Sequence, residues 1–332
     1  MEDGQKVILQ HYVPRMYLKH FSRSDKRGQL FVFDKEKRRS FPSSVYNMAA
    51  ERYFYDLPPV DSKELDFEDD PQVVEKIFSE LENVVSAILK KLVCSYYMTP
   101  KKKLPTFKLF SPEERGNLAI YIVLQLLRTP KARDMLIDLQ EKLMTAYLKT
   151  QVKSGQLRGL RVQMMEEVQS LHHAEFLFTE GIVDELSIIL AQYIWCVAYR
   201  TSEESIYTSD NPVVAYNHIS KQIKMSGYGS PGIEILFPLN PDLLLILREP
   251  TYFHKYRSCD GRFVELRSDA TNLYNGLQVL LLAKRFVFSS TNDFSLAERI
   301  VEEYPNVSLG LDLNKINQSA REWFEKSKQT DI

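Results

Sequence analysis

The hydrophobic pattern of the chain changes near residue 200, and this change constrains the fold more than any other feature. Before it, apolar residues recur at three- and four-residue steps, as in Val74, Ile77 and Leu81, which is the spacing of an amphipathic helix. After it, short runs rich in β-branched and aromatic residues are separated by turn sequences such as the one at 210–212, a pattern typical of sheet. Together the two patterns predict an α+β fold.

The N-terminal segment predicts a strand followed by a short helix. The residues before Pro14 are pushed into an extended conformation, and Pro14 itself suits the first turn of a helix. A further strand is predicted at 30–34, with an antiparallel partner at 52–55. We therefore expect a mainly helical core with a small antiparallel sheet formed from N-terminal and C-terminal strands.

We expect residues 1–332 to form a single domain, because the length allows one large core and no repeat divides it. Four regions are predicted within it. They are a strand/helix segment at 1–56, a helical region at 71–199, a sheet-rich region at 205–290, and a C-terminal helix and tail at 293–332. The acidic stretch at 57–71 begins and ends near prolines, which predicts a surface connection.

Two helices carry most of the expected core. Ser111 and Pro112 supply an N-cap and a first helical residue, and the helix they start, at 113–128, is nearly apolar all round. Such a helix belongs in the core. Another helix is predicted at 182–199 from its broad apolar face. The expected core residues are Leu81, Ile88, Leu118, Leu124, Ile189, Ile194, Leu236, Leu245 and Leu280.

The charge balance and the cysteines limit the functional classes. Lys and Arg total 43 against 44 Asp and Glu, so no strong field points to nucleic acid or an anionic membrane. The three cysteines lie far apart without CxxC spacing, which argues against a disulfide framework or a structural zinc site. We find no signal-peptide pattern in residues 1–10 and no uncharged run of the ~18 residues needed to span a bilayer. We therefore expect a cytoplasmic protein with no membrane partner.

Four short segments carry the most distinctive residue patterns of the chain. They are His11-Tyr12-Val13-Pro14 with Tyr17, Leu18 and Phe21; Ala49-Ala50-Glu51 with Phe54 and Tyr55; Gln125 with Arg128-Thr129-Pro130; and Thr208-Ser209-Asp210-Asn211-Pro212. The opening segment is the longest and fits the pattern HYVPxxYLxxF. Together the segments resemble one bacterial family, the domain-of-unknown-function family DUF4238. The resemblance covers nearly the whole chain in order, and it implies no particular chemistry.

Three residues in these segments are candidates for binding or catalysis. His11 stands at the start of a proline-containing turn, where an imidazole can act as a general base or can simply pin the turn through a carbonyl. Gln125 and Arg128 are three apart and share one helix face. Because their neighbours are apolar, the Arg128 guanidinium requires an anionic partner. We expect Glu51, Asp210, or a phosphate or carboxylate of a ligand to fill that role.

Ser209, Asp210 and Asn211 lie where a strand runs into a turn. Their side chains can cap local backbone groups, or they can form a site on a rigid strand end. The adjacent His172 and His173 face different sides of a helix and do not suit one metal ion, and we expect both on the surface. No metal motif is present, so the cofactor is unknown, although a divalent metal remains compatible.

Two hypotheses for function follow. In the first, the protein is a hydrolase, a nuclease or a nucleotide hydrolase, acting on a phosphate-bearing ligand or nucleic acid. His11 is then the base, Asp210 or Glu51 orients it or holds a metal, and Gln125, Arg128, Ser209 and Asn211 bind substrate. In the second, it is a non-enzymatic ligand-sensing or protein-interaction module, for example in a defence or toxin-like system. In that case the same polar residues form a buried structural network. We predict that His11, Gln125, Arg128 and Asp210 converge within one cleft.

Overall fold

A computed structural model describes residues 7–56, 72–151, 159, 161–219, 227–305 and 313–329. The strands are β1 (Leu9–His11), β2 (Gln29–Asp34), β3 (Arg39–Ser44), β4 (Ala50–Arg52), β5 (Ile194–Arg200), β6 (Thr208–Ser209), β7 (Val214–Asn217), β8 (Ile233–Asn240), β9 (Leu243–Arg248), β10 (Arg262–Leu266) and β11 (Phe286–Ser289). The α-helices are α1 (Arg15–Leu18), α2 (Val73–Met98), α3 (Pro112–Leu127), α4 (Pro130–Gln151), α5 (Glu166–Phe178), α6 (Ile182–Ala191), α7 (Ser268–Leu277), α8 (Ser295–Glu303) and α9 (Leu313–Gln329). A π-helical turn, Gln278–Leu282, continues α7. The predicted surface connection at 57–71 lies outside the described residues.

The strands form three sheets in the described part of the chain. A four-stranded sheet in the order β3-β2-β11-β6 joins N-terminal to C-terminal strands, as the sequence predicts. A larger sheet has the order β10-β5-β9-β8-β7. All its strands except β5 lie in the predicted sheet-rich region, but the single sheet that was expected did not include this one, and its β5–β10 pair is parallel. The third sheet is the β1–β4 pair. The fold is therefore α+β, with more sheet than expected.

The partner predicted for β2 was wrong. Residue 52 belongs to β4, which pairs with β1, whereas β2 pairs with β3 in a tight hairpin. The hairpin turn has its own capping group, because Asp34 Oδ1 accepts the backbone N–H of Glu36 and Lys37, each at 3.1 Å. A short turn of this kind brings neighbouring strands together more readily than a longer connection does.

The helix predicted at 182–199 ends at Ala191, and the residues from Ile194 onward form β5. All of β5 except Arg200 is buried. A strand covered on both faces lacks apolar and polar alternation, so its periodicity cannot be told from that of a buried helix. The indole of Trp195 packs within this strand and donates to the Leu190 carbonyl at 2.8 Å.

The five-stranded sheet lies between two groups of helices. On β9, Leu245 and Leu247 face a core shared with α2 and α3, whereas Leu244 and Ile246 face a second core shared with α7, α8 and α9. Seven of the nine expected core residues are buried. Leu81 and Ile189 are partly exposed and pack against the first core. The hydrophobic pattern therefore identified most of the core residues, although Ile194 is buried in a strand rather than in the predicted helix.

Candidate functional site

The segments that carry the family resemblance meet around one cavity of about 230 Å³, which we call the Glu51 cavity. Each of the four segments supplies a wall residue, and the β2–β3 hairpin and the start of β11 supply the others. The lining residues are Tyr12, Glu36, Glu51, Pro130, Asp210, Lys284, Arg285 and Phe286. Residues that are up to about 270 positions apart in sequence are thus neighbours here.

Backbone pairing and one buried amide hold the N-terminal wall in place. In the β1–β4 pair, His11 lies opposite Ala50, which brings the chain at Tyr12 close to the strand that carries Glu51. The Gln125 side chain then donates to the Tyr12 carbonyl at 2.9 Å. Because Gln125 lies in the last turns of α3, this bond fixes the wall to the helix end that leads into Pro130. Gln125 therefore supports the cavity wall without lining the cavity itself.

Asp210 anchors the opposite wall. Its Oδ1 accepts the Lys284 N–H at 2.8 Å, and its Oδ2 accepts the N–H groups of Arg285 and Phe286 at 2.7 and 2.9 Å. The residue is 4% exposed. Burial raises the pKa of the carboxyl, while the three backbone bonds and the nearby Lys35 counteract that rise. Both oxygens are engaged in holding the start of β11.

Two buried lysines hold the residues just before those that Asp210 binds. Lys35 Nζ donates to the carbonyls of Val279 and Ala283, each at 2.7 Å, and Lys131 Nζ donates to that of Leu281 at 2.6 Å. These carbonyls belong to the end of the π-helical turn, where helix carbonyls lack partners within the helix. The lysines therefore act as caps for the helix end.

Neither lysine was singled out from the sequence, because buried lysines are rare and have no sequence signature. Burial lowers the pKa of Lys35 to about 7, helped by the charge of Lys131 and opposed by Asp210. Burial likewise lowers the pKa of Lys131 to about 8. The sequence offered one indication, for Lys131: this residue directly follows the Arg128-Thr129-Pro130 segment.

Replacing Lys35 by methionine should remove part of the pH dependence of stability. The pKa of Lys35 is about 7 in the folded chain against 10.5 ordinarily, so between these values the unfolded chain binds more protons. Its contribution therefore makes the free energy of unfolding rise with pH from 7 to 10.5. The free energy of unfolding is measured in urea at pH 7 and at pH 9. We expect its rise between the two pH values to be larger in the wild type than in the variant, by on the order of 1 to 2 kcal/mol. Equal rises in both proteins would contradict the assignment.

Tyr12 and Glu51 give the cavity its available polar groups. Burial, together with the negative charges of Asp210 and Glu51, raises the pKa of Tyr12 well above its usual range. Its hydroxyl is therefore neutral and can donate or accept a hydrogen bond. Glu51 is exposed on β4, at the cavity wall. Tyr12 was part of the resemblance but was not proposed as a site residue.

Arg128 does not reach the cavity. Its Nε and Nη2 donate to Gln125 Oε1 at 3.0 and 2.8 Å, and its Nη1 donates to Glu82 Oε1 at 3.0 Å. The guanidinium also lies over the Phe78 ring, with its carbon 4.8 Å from the ring centre. The residue is 2% exposed, so its charge is satisfied inside the protein.

The anionic partner of Arg128 is therefore neither of the two acids expected from the sequence. It is Glu82 of α2, whose side chain is 24% exposed. The requirement for a partner was derived correctly from burial, but the candidates were sought only in the segments that carry the resemblance. Glu82 stands four residues after Phe78, on the same helix face, and both contact the guanidinium.

His11 binds the turn that follows β3. Its Nε2 lies 3.2 Å from the Tyr46 carbonyl. Burial and the charge of Arg15 lower the pKa of His11 to about 4, so the ring is neutral at pH 7 and donates to that carbonyl. Among the residues proposed from the sequence, Glu51 and Asp210 line the cavity, whereas His11, Gln125 and Arg128 do not.

Ser209 and Asn211 form a hydrogen-bonded turn beside Asp210. Ser209 Oγ donates to the Asn211 carbonyl at 2.9 Å and accepts the Asn211 N–H at 3.0 Å. The Gln278 side chain donates to the same carbonyl at 2.9 Å. Asn211 Oδ1 is buried with no hydrogen-bond partner in the part of the chain that is described. Neither residue lines the Glu51 cavity.

His173 is buried, which corrects its expected place on the surface. Its Nε2 is 2.8 Å from the Leu127 carbonyl, and its Nδ1 accepts from Arg133 Nε at 3.1 Å. Both nitrogens are thus occupied by protein groups.

Over the described ranges, no group of three or more His, Cys, Asp or Glu side chains is placed to hold a metal ion. Over the same ranges, we find no helix long and apolar enough to cross a membrane.

Comparison with known proteins gives one match. The family model described as "Protein of unknown function (DUF4238)" matches residues 9–293. No curated protein matches the chain significantly, and no solved structure does. The matched region includes all eight residues that line the Glu51 cavity. Since the match covers most of its length, the chain belongs to the DUF4238 family.

Proposed function

We propose that the protein binds a small ligand with a cationic nitrogen in the Glu51 cavity. The observation that carries this proposal is that the four segments of the resemblance converge on a cavity in which one carboxylate has no partner among the described residues. That carboxylate is Glu51. Of the two hypotheses from the sequence, this proposal develops the ligand-sensing one.

The cations at the cavity are already neutralised. Lys284 Nζ lies 2.6 Å from Asp134 Oδ2. Arg285 donates through Nε and Nη2 to the carboxylate of Asp34, at 2.8 Å for the closest pair, and its Nε lies 3.3 Å from Glu36. An anionic ligand would have to compete with these carboxylates. The cavity therefore offers little to a phosphate group.

The acids at the cavity differ in how they are satisfied. Asp210 accepts three backbone N–H groups and Glu36 faces Arg285, as described above. The Glu51 side chain has no ion pair or hydrogen bond to any residue within the described ranges. Arg133 is within electrostatic reach of Glu51, but its Nε donates to His173 and its Nη2 to the Phe54 carbonyl. The carboxylate is therefore the free charge, and it attracts a cation.

The remaining surfaces suit an ammonium or guanidinium group. Tyr12 provides a neutral hydroxyl, and its ring can contact a cation through its face. The Phe286 ring is already covered by the Arg285 guanidinium, whose carbon lies 4.8 Å from the ring centre. The volume of about 230 Å³ is below the roughly 300 to 1,000 Å³ typical for drug-sized ligands. We therefore expect a ligand no larger than an amino acid or a simple amine.

The hydrolase hypothesis has less support at this cavity. It needs a base and a phosphate-binding group beside the substrate. His11 donates to a backbone carbonyl, and Arg128 is enclosed by Glu82 and Gln125. Of the residues assigned to catalysis, Glu51 remains as a carboxylate with access to a ligand. A binding role accounts for these contacts with fewer rearrangements.

Thermal unfolding in the presence of matched ligands tests the proposal. The panel contains small primary amines, quaternary ammonium and guanidinium compounds, each with a neutral and an anionic analogue. A ligand that binds the folded chain at 100 times its Kd adds about 2.7 kcal/mol of stability, so we expect the cations to raise Tm by a few degrees. Neutral analogues should have little effect.

The variant Glu51→Gln should lose the response to cations, because the amide keeps the shape but not the charge. The matched control is Glu302→Gln, at an exposed position of α8 away from the cavity lining, and it should respond like the wild type. If anionic analogues raise Tm and cations do not, the phosphate-binding hypothesis replaces this one.

A further inference from the structure

We propose a second binding site, for a small molecule that carries a phosphoryl group, in a cavity of about 350 Å³ at the start of α3. We call it the Lys108 cavity. It shares no lining residue with the Glu51 cavity, and the proposal does not depend on the ligand bound there. None of its residues was assigned a function from the sequence.

The charge of the Lys108 cavity is the opposite of that at Glu51. Three cationic side chains line it, Lys108, Arg115 and Arg262, against one carboxylate, Asp260. The loop that carries Lys108 and the turn that precedes Arg262 are joined by a hydrogen bond from Leu109 N–H to the Gly261 carbonyl at 2.9 Å. The cations from two distant segments are thus held on one rigid frame.

The one carboxylate at this cavity, Asp260, already bonds groups of the protein. Asp260 Oδ1 accepts the Trp195 N–H at 2.8 Å and also pairs with Arg115 Nη2. Arg115 is fixed further by its position over the Trp195 ring, 5.4 Å from the ring centre. Its Nε is buried and has no hydrogen-bond partner in the described part of the chain. Asp260 therefore orients Arg115 and neutralises one of the three cations.

The other two cations are available. Lys108 and Arg262 are exposed, and neither forms an ion pair with any residue in the ranges described. A guanidinium and an ammonium facing one cavity favour a tetrahedral oxyanion, which accepts several charge-assisted hydrogen bonds at once. The α3 dipole adds positive potential at Ser111, although Ser111 Oγ already accepts the Glu114 N–H.

The size of the cavity favours a small molecule over a polymer. Its volume falls within the range typical of small-ligand sites, and the half-buried Phe110 ring lines it and offers an apolar contact for the rest of the molecule. The chain carries a net charge of -1, so it has no overall field that would attract a nucleic-acid backbone. We therefore infer a compact phosphate-bearing ligand.

Calorimetric titration of the full chain tests this site, with inorganic pyrophosphate and ADP as probes and adenosine as the phosphate-free match, at low ionic strength. We expect saturable binding of pyrophosphate or ADP and none of adenosine. The double variant Lys108→Ala/Arg262→Ala should bind at least tenfold more weakly. Because both residues are exposed and unpaired, its melting temperature should match that of the wild type.

The matched control is Lys101→Ala/Lys102→Ala, which removes the same charge from exposed lysines a few residues away that do not line the cavity. It should bind like the wild type. The proposal is overturned if neither probe binds, if adenosine binds as well as ADP, or if the two double variants lose equal affinity. It is also overturned if a short single-stranded oligonucleotide binds more tightly than ADP and depends on Lys108 and Arg262, since the ligand would then be nucleic acid.

Discussion

Replacing Asp210 by alanine is expected to lower the free energy of unfolding by ~3 to 5 kcal/mol, the cost typical of removing one partner from a buried charged network. The three N–H groups at Lys284, Arg285 and Phe286 would lose their common acceptor. Lys35 would also lose the acid that supports its charge. Equilibrium unfolding in urea, followed by tryptophan fluorescence, measures the change.

Two further variants separate this anchoring role from a general loss of charge. Asp210→Asn keeps one acceptor oxygen, so its stability should lie between those of the wild type and the alanine variant. Asp134→Ala removes an acid whose partner, Lys284, is on the surface, and exposed pairs contribute only ~0 to 1 kcal/mol. If Asp210→Ala were as stable as Asp134→Ala, the anchoring role would have to be abandoned.

Arg128→Ala is expected to destabilise the chain by a similar ~3 to 5 kcal/mol. The substitution leaves Gln125 Oε1 without the donors that now hold it, removes the partner of Glu82, and opens a space against Phe78. Arg128→Lys keeps the charge but not the planar fork, so an intermediate loss is expected. Urea unfolding again gives the values.

The same variants distinguish an architectural Arg128 from a ligand-binding one. With Arg128 enclosed by Gln125 and Glu82, the lysine variant should retain binding at both cavities under conditions where it is folded. An Arg128→Lys protein with unchanged stability and lost ligand binding would show that the guanidinium acts on the ligand. The hydrolase hypothesis would then regain its phosphate-binding group.

Local signals in the sequence were sufficient where an element is specified by its own residues. The start of α3 is an example, because Ser111 and Glu114 exchange hydrogen bonds in a capping box and Pro112 is the first helical residue. The strand β9 is another, since its apolar run is bounded by turn residues and lies in the predicted sheet-rich region at 205–290. Such elements depend little on the rest of the fold.

Prediction failed where distant segments decide the outcome. The apolar run of β5 fits a buried helix as well as a buried strand, and only its pairing with β9 and β10 selects the strand. The partner of β2 was likewise chosen by a hairpin turn that the sequence pattern did not reveal. Neither choice is encoded in periodicity alone.

At the candidate site too, local sequence patterns were informative and long-range pairings were not. The resemblance identified segments that do line one cavity, including Glu51 and Asp210. It did not indicate which polar side chains form their hydrogen bonds and ion pairs within the protein. Lys35, Lys131 and Glu82 satisfy buried groups from other elements, and those pairings exist only after the core has formed.

The most direct test of the account is a crystal structure of the chain soaked with the amine that stabilises it most. We predict density for the ligand in the Glu51 cavity, with its nitrogen about 2.7 to 3.2 Å from a Glu51 carboxylate oxygen, as expected for a hydrogen bond, and the ring face of Tyr12 beside it. An amine bound elsewhere on the chain, with Glu51 in contact with solvent alone, would contradict it.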